Sequence, residues 1–249
     1  MKRALGLLAL TALGAAACSI PFPKQTAADG GTIDGAAACA AAIVCDDFER
    51  STWDPFWNDL SPKDGSITID RTKAHRGTSS LHFHTPAHPA NVASELSFGH
   101  TPFTRSEFYL RAFVFIPDDA PPPRGENLVS LSKVDGSSGL LVNRTSNLLV
   151  ATWGPPTGYE QVGTDGIFSV GAWDCLEVHV AVGAGGAPKV EIWLRDTEYP
   201  IGFKSPINLD PIGSVSLGIN IPSTSAPLPA YDLWLDDVIV DTVRVGCAR

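Results

Sequence analysis

Apolar and polar residues alternate with a period of two along most of the chain. Between positions 175 and 180, Leu176, Val178 and Val180 fall on one side of an extended backbone, and Glu177 and His179 on the other. The next run repeats the pattern, with Val190, Ile192 and Leu194 opposed to Glu191, Trp193 and Arg195. Gly183-Ala184-Gly185-Gly186 between them supplies the positive-φ positions of a tight turn, so the pair reads as a hairpin with an apolar inner face and a polar outer one. Comparable short runs rich in β-branched and aromatic residues lie at 67–71, 80–84, 93–98, 107–116, 128–133, 140–144, 147–153, 214–219 and 233–245, punctuated by Gly, Pro, Asn and Asp. Helical periodicity never persists. Eleven strands with no intervening helix need two packed layers, which predicts an all-β, two-sheet antiparallel sandwich over residues 43–249.

The first 42 residues follow different rules. Lys2 and Arg3 precede an apolar run at 4–13, then Gly14, Ala15, Ala16 and Ala17 lead to Cys18. The run is about half the roughly 20 residues that cross a bilayer, so residues 1–17 read as a removable secretory signal. Small residues ending in a cysteine resemble a bacterial lipobox, whose thiol becomes lipidated. Ala15 stands where that motif prefers Leu or Val, and Ala15-Ala16-Ala17 also satisfies ordinary signal cleavage. The chain has five cysteines, an odd number. Lipidation of Cys18 leaves Cys39, Cys45, Cys175 and Cys247, an even set able to pair in an oxidising compartment. The expectation is a lipid-anchored protein of the cell envelope, outside the cytoplasm. Ser19 stands where an Asp would mark inner-membrane retention, which points to the outer membrane. Residues 18–42, rich in Ala, Gly, Thr and Pro, read as a flexible tether.

Charge narrows the partners. With a net charge of −9 and 18 Lys and Arg scattered without a run, the chain lacks the basic surface that nucleic acid requires. The same acidity opposes adsorption to anionic headgroups, so membrane attachment rests on the lipid anchor.

The stretch Trp173-x-Cys175-Leu176-Glu177-Val178-His179-Val180, the glycine-rich turn and Val190-Glu191-Ile192-Trp193-Leu194-Arg195-Asp196 resemble the hairpin of concanavalin A-like jelly rolls. Cys45-Asp46-Asp47-Phe48-Glu49 and Leu235-Asp236-Asp237-Val238-Ile239-Val240 are similar to the first and last strands of that fold. The superfamily includes lectins, laminarinase-type hydrolases and alginate- or heparin-cleaving lyases, so the resemblance implies a polysaccharide or oligosaccharide partner. It does not extend to catalytic residues. The hydrolases carry E-x-D-x-x-E, and no Glu here is followed two residues later by Asp. The lyases carry R-[ST]-E-[LV]-R and Q-[IV]-H strands. The nearest matches, Ala93-Ser94-Glu95-Leu96-Ser97 and Leu131-Ser132-Lys133, lack the arginines, the glutamine and the histidine. The sequence reads as a lectin-like, non-catalytic carbohydrate binder, with a divergent uronate-polymer lyase or a protein-binding scaffold as alternatives.

A sugar site needs an exposed flat ring beside groups that hold hydroxyls. Tyr109, Arg111, Lys133, Asn143, Trp153 and Tyr159 are the candidates, whereas Trp53, Trp57, Trp173 and Trp234 read as core. In such jelly rolls the terminal strands lie side by side, so Asp47 and Asp236 are candidate ligands for a structural Ca²⁺. His82 and His84 share one strand face, without a nearby Cys or Asp in the sequence to complete a zinc set. Four cysteines allow three connectivities; Cys45 with Cys247 would clip first strand to last and leave Cys39 for Cys175.

Overall fold

The computed structural model describes residue 39 and residues 42–247, apart from 63–64, 92–93, 122–124, 147, 155–159, 164–166, 183–187, 196, 198–199, 206, 208, 210 and 222–224. The signal, Cys18, nearly all of the tether and Tyr159 lie outside the described residues. Within them the chain forms two antiparallel sheets, as alternation predicts.

The eight-stranded sheet runs β13 (Gly202–Lys204), β12 (Lys189–Leu194), β11 (Trp173–Ala181), β6 (Glu107–Phe115), β15 (Tyr231–Asp241), β4 (Ser80–Thr85) and β3 (Ser66–Asp70), with β1 (Val44–Asp46) paired to the end of β15. The seven-stranded sheet runs β10 (Glu160–Gly163), β9 (Leu148–Trp153), β8 (Gly139–Arg144), β7 (Glu126–Lys133), β14 (Ile212–Ile221), β5 (Ser94–His100) and β2 (Asp59–Pro62). The hairpin inferred from alternation is present, with Leu176 opposite Leu194 and Val178 opposite Ile192.

Alternation sorts each strand into two faces. Leu110, Val178, Ile192 and Val240 from one sheet and Leu131, Val142, Val150 and Leu217 from the other are fully or almost fully buried in one core. Each such side chain contributes about 1.5–3 kcal/mol through its withdrawal from water. One polar group spans this core: Arg144 on β8 donates from Nη1 to the Tyr231 hydroxyl on β15 at 2.9 Å and lies 3.8 Å from Glu126.

Two features depart from expectation. β1, β2, β10 and β13 are only three or four residues long. Runs that short carry too few alternations to register as a pattern. The last strand stops at Asp241 rather than running to 245. The register of β15 shifts between Asp236 and Ile239, where Asp237 takes a φ of 48°. Past Asp241 the backbone leaves the ladder, and the amides of Val245 and Gly246 bond the Glu177 carboxylate instead.

Candidate functional site

The outer face of the seven-stranded sheet carries a shallow groove of about 200 Å³ across β2, β5, β14 and β7. Its floor follows directly from alternation: Val215, Leu217 and Ile219 turn into the core, which leaves Ser214, Ser216, Gly218 and Asn220 outside. Ser130 of β7 is opposite Ser216, Ser132 opposite Ser214, and Asn127 opposite Asn220. On the other flank Ser97 and Glu95 of β5 stand opposite Gly218 and Asn220, and Asp59 of β2 is the register partner of Gly99. The Ser132 and Ser214 hydroxyls hydrogen-bond each other at 2.6 Å. Gly99 and Gly218 let neighbouring strands press close. A Cβ at Gly218 would sit 2.1 Å from the Leu96 carbonyl oxygen, and one at Gly99 would sit 2.6 Å from that of Val215.

The same face continues onto β8 and β9. Trp153 is the register partner of Gly139, and its indole lies where a Cβ on Gly139 would be. Asn143, opposite Asn127, is 6 % exposed, and its carboxamide oxygen has no hydrogen-bond partner among the described residues. Of the six residues expected at a sugar site, Trp153 and Asn143 therefore share this face. Lys133 does not: one step past Ser132 on β7, alternation turns it the other way, and it pairs with buried Ile212.

Tyr109 and Arg111 are corrected more fully, because they lie on the outer face of the other sheet. Arg111 is 1 % exposed and donates to the carbonyls of Asp237 and Gly246. Tyr109 stacks on His179 with ring centroids 4.1 Å apart. Burial, with Glu191, Glu107 and Glu177 nearby, pushes the Tyr109 phenol above its usual range. The polar outer face expected of the β11–β12 hairpin is thus covered rather than solvated. Glu177 is fully buried under Arg244, Val245 and Gly246, and His179 is held between Glu191 at 2.7 Å and Glu107 at 3.2 Å. Trp193 lies beneath the Arg244 guanidinium, 4.4 Å from its ring. Trp57 is core and Trp53 packs against it, as expected, but Trp234 sits on this outer face beneath Lys73.

The carboxylates near the chain ends cap backbone. Asp236 accepts from the amides of His75 at 2.7 Å, Arg76 at 3.2 Å and Asp237 at 2.7 Å. Burial, with Asp237 beside it, pushes the Asp236 carboxyl up to about 7 against the pull of those donors. Asp47 is exposed and accepts from the Glu49 amide. The two expected calcium ligands are each engaged with backbone. Asp232 of β15 supplies a carboxylate to the histidine pair, with its Oδ1 2.8 Å from both His82 Nε2 and His84 Nδ1. Among the described residues, no group of three or more His, Cys, Asp or Glu side chains is arranged to hold a metal ion.

The cysteines pair differently from the expected connectivity. Cys39 bonds Cys45 and Cys175 bonds Cys247, with Cα–Cα distances of 5.2 and 5.8 Å. The clip between Cys45 and Cys247 fails because β1 sets Cys45 against Ile239, and residues 242–247 then cross to β11 instead of staying beside β1.

Sequence reasoning missed the serine lining of the groove. Its signal was present: Ser130 and Ser132 alternate with Val129 and Leu131, and Ser214 and Ser216 with Val215 and Leu217. Serine carries neither charge nor ring and drew no attention to itself.

No protein-family model matches the sequence, and no curated protein matches it either. Solved structures do. An endo-β-1,4-glucuronan lyase from the fungus Trichoderma reesei aligns with a TM-score of 0.62 at 13 % identity, covering 83 % of this chain and 98 % of the lyase. A cellulose-induced protein, Cip1, aligns with a TM-score of 0.60 at 20 % identity over 82 % of this chain and 100 % of its own. The alginate lyase vAL-1 from Chlorella virus aligns with a TM-score of 0.57 at 10 % identity over 81 % and 100 %. The chain thus shares the two-sheet antiparallel β-sandwich fold of these proteins.

Proposed function

We propose that the protein is a non-catalytic carbohydrate-binding module, exported and held at the cell envelope by lipid on Cys18. The observation that carries the binding reading is the groove itself: paired serines and asparagines, open on one side, continue along one sheet face toward the ring of Trp153. Hydroxyls and carboxamides both donate and accept, which suits the hydroxyls of a sugar. The sandwich is shared with lyases that act on glucuronan and alginate, which supports a carbohydrate partner at the level of fold.

The chemistry of the face supports binding without turnover. Elimination at a uronate needs a cation or carboxamide cluster on the carboxyl group and a His or Tyr base near C5. The described strand residues of this face supply carboxamides in Asn127, Asn143 and Asn220 but include no Arg, Lys, His or Tyr, so the second requirement, a base, is not met among them. Two bridges account for four of the five cysteines, which leaves Cys18 for the anchor.

The test is a polysaccharide-binding panel with the full-length chain, read beside ultraviolet absorbance for an unsaturated uronate product. Binding is expected, weakened at least tenfold by Trp153→Ala or Asn127→Ala, with no absorbance change. Binding to no polysaccharide, or steady product formation, would overturn the reading. Radiolabelled fatty acid is expected to enter the wild type but not Cys18→Ser; equal labelling, or none, would remove the anchor.

A further inference from the structure

On the sheet opposite the groove, we infer that residues 242–247 are a redox-latched strap. They occupy, within their own chain, a dock for an extended arginine-bearing peptide, and opening of the Cys175–Cys247 bridge by a dithiol frees that dock for a partner. The strap seated on it shows what the dock recognises. The Glu177 carboxylate accepts from the Val245 amide at 2.9 Å, the Gly246 amide at 3.0 Å and Arg244 Nε at 3.0 Å. Arg111 donates to the Gly246 carbonyl at 3.5 Å, and the Arg244 guanidinium lies 4.4 Å from the Trp193 ring. One carboxylate thus takes two consecutive backbone amides and a guanidinium, which reads main chain and arginine together.

The cover is built to come away. None of residues 242–247 belongs to the hydrophobic core, and Val243 is 63 % exposed. β15 ends at Asp241, so the strand ladders are complete before the strap begins. Beneath it lies the polar side of β6 and β11, where Arg111 and Glu177 are buried. An apolar face would need a permanent cover, whereas a guanidinium and a carboxylate regain hydration when the cover lifts. Both positions of the strap therefore satisfy the groups below it, as a two-position element requires.

The bridge sets the balance between them. Cys175 is 3 % exposed and Cys247 is half-buried, so an incoming thiolate attacks the Cys247 sulfur. A mixed disulfide forms there, and Cys175 departs as a thiolate that takes up a proton. The second thiol of the reductant then displaces Cys247, which leaves two thiols on this chain and a disulfide on the reductant, a transfer of two electrons. Once the bridge is open, the strap is tethered through Asp241 and competes for its dock at an effective concentration on the order of millimolar.

The probe is a fluorescent peptide of residues 241–247 with Ser in place of Cys247, titrated by polarisation into the full-length chain. The oxidised wild type is expected not to bind it. Cys175→Ser with Cys247→Ser should bind, and adding Arg244→Ala, which weakens the resident strap, should raise affinity about tenfold. Wild type reduced by a dithiol in native buffer should match the double variant, with circular dichroism confirming β-structure in each. Replacing the peptide's arginine by alanine, or adding Glu177→Gln to the triple variant, should weaken binding about tenfold. Equal binding by oxidised and reduced protein, no binding to the folded triple variant, or indifference to the peptide's arginine overturns the inference.

Discussion

The indole of Trp153 occupies the space above Gly139, its register partner across the β8–β9 ladder, at the point where any larger residue would carry its Cβ. The contact places Cζ2 and Cη2 of the ring 1.9 Å from that hypothetical atom, too close for any real side chain. Gly139 is therefore required by close approach and not by a left-handed backbone.

Gly139→Ala should expel the ring. We expect a loss of about 1–3 kcal/mol from forced repacking, a red shift in tryptophan emission, and weaker polysaccharide binding. Unchanged emission in a fully folded variant would show that the ring does not rest on Gly139.

The bridge from Cys175 to Cys247 closes a loop of sequence separation 72, and that from Cys39 to Cys45 one of only 6. Chain-entropy arithmetic assigns about 4 kcal/mol to the first and about 2 kcal/mol to the second. Cys175→Ser with Cys247→Ser should therefore lower the denaturation midpoint roughly twice as far as Cys39→Ser with Cys45→Ser. Glu177, Arg111 and Arg244 hold the same terminal segment, so limited proteolysis should release it sooner in the first variant. Equal midpoints in the two double variants would argue against this account.

Arg144 and Tyr231 join the two sheets through the core, and burial pushes the Tyr231 phenol well above its usual range. Removing one member of a buried charged contact costs about 3–5 kcal/mol, whereas losing a single neutral hydrogen bond costs about 0.5–1.5 kcal/mol. Arg144→Met should therefore destabilise more than Tyr231→Phe in urea titrations. The reverse order would show that Glu126 does not depend on the guanidinium.

The carboxyl of Asp236 is pushed from 3.8 up to about 7. Because the folded chain holds this proton more tightly than the unfolded chain, the contribution to stability is complete below about pH 4 and is lost as pH rises through about 7. The wild type should lose stability relative to Asp236→Asn across that window, by on the order of a few kcal/mol. Melting curves for both proteins at intervals from pH 4 to 8 check this; a constant gap between them would mean that Asp236 titrates normally in the fold.

Much of this molecule is legible in strand alternation. Leu176, Val178 and Val180 face the core as their spacing dictates, as do Val190, Ile192 and Leu194 in the next strand. Burial of one face per strand fixes the sandwich, because a one-residue slip would expose the whole apolar set. Alternation reports which residues share a face of one strand, but not which sheet that strand joins or what later covers it. Tyr109, Arg111, Asn143 and Trp153 all point outward, yet strand order places the first two on one sheet and the last two on the other. Past the end of β15, residues 242–247 cross over β11, burying Arg111 and Glu177 and deciding the partner of Cys247. The sequence by itself determined the all-β class, the core faces and the acidic balance, since these follow from side-chain periodicity and formal charge. Only the tertiary structure decided which outward residues form an open groove and which lie under a neighbouring segment, because strand order and coverage depend on contacts between residues far apart in the chain.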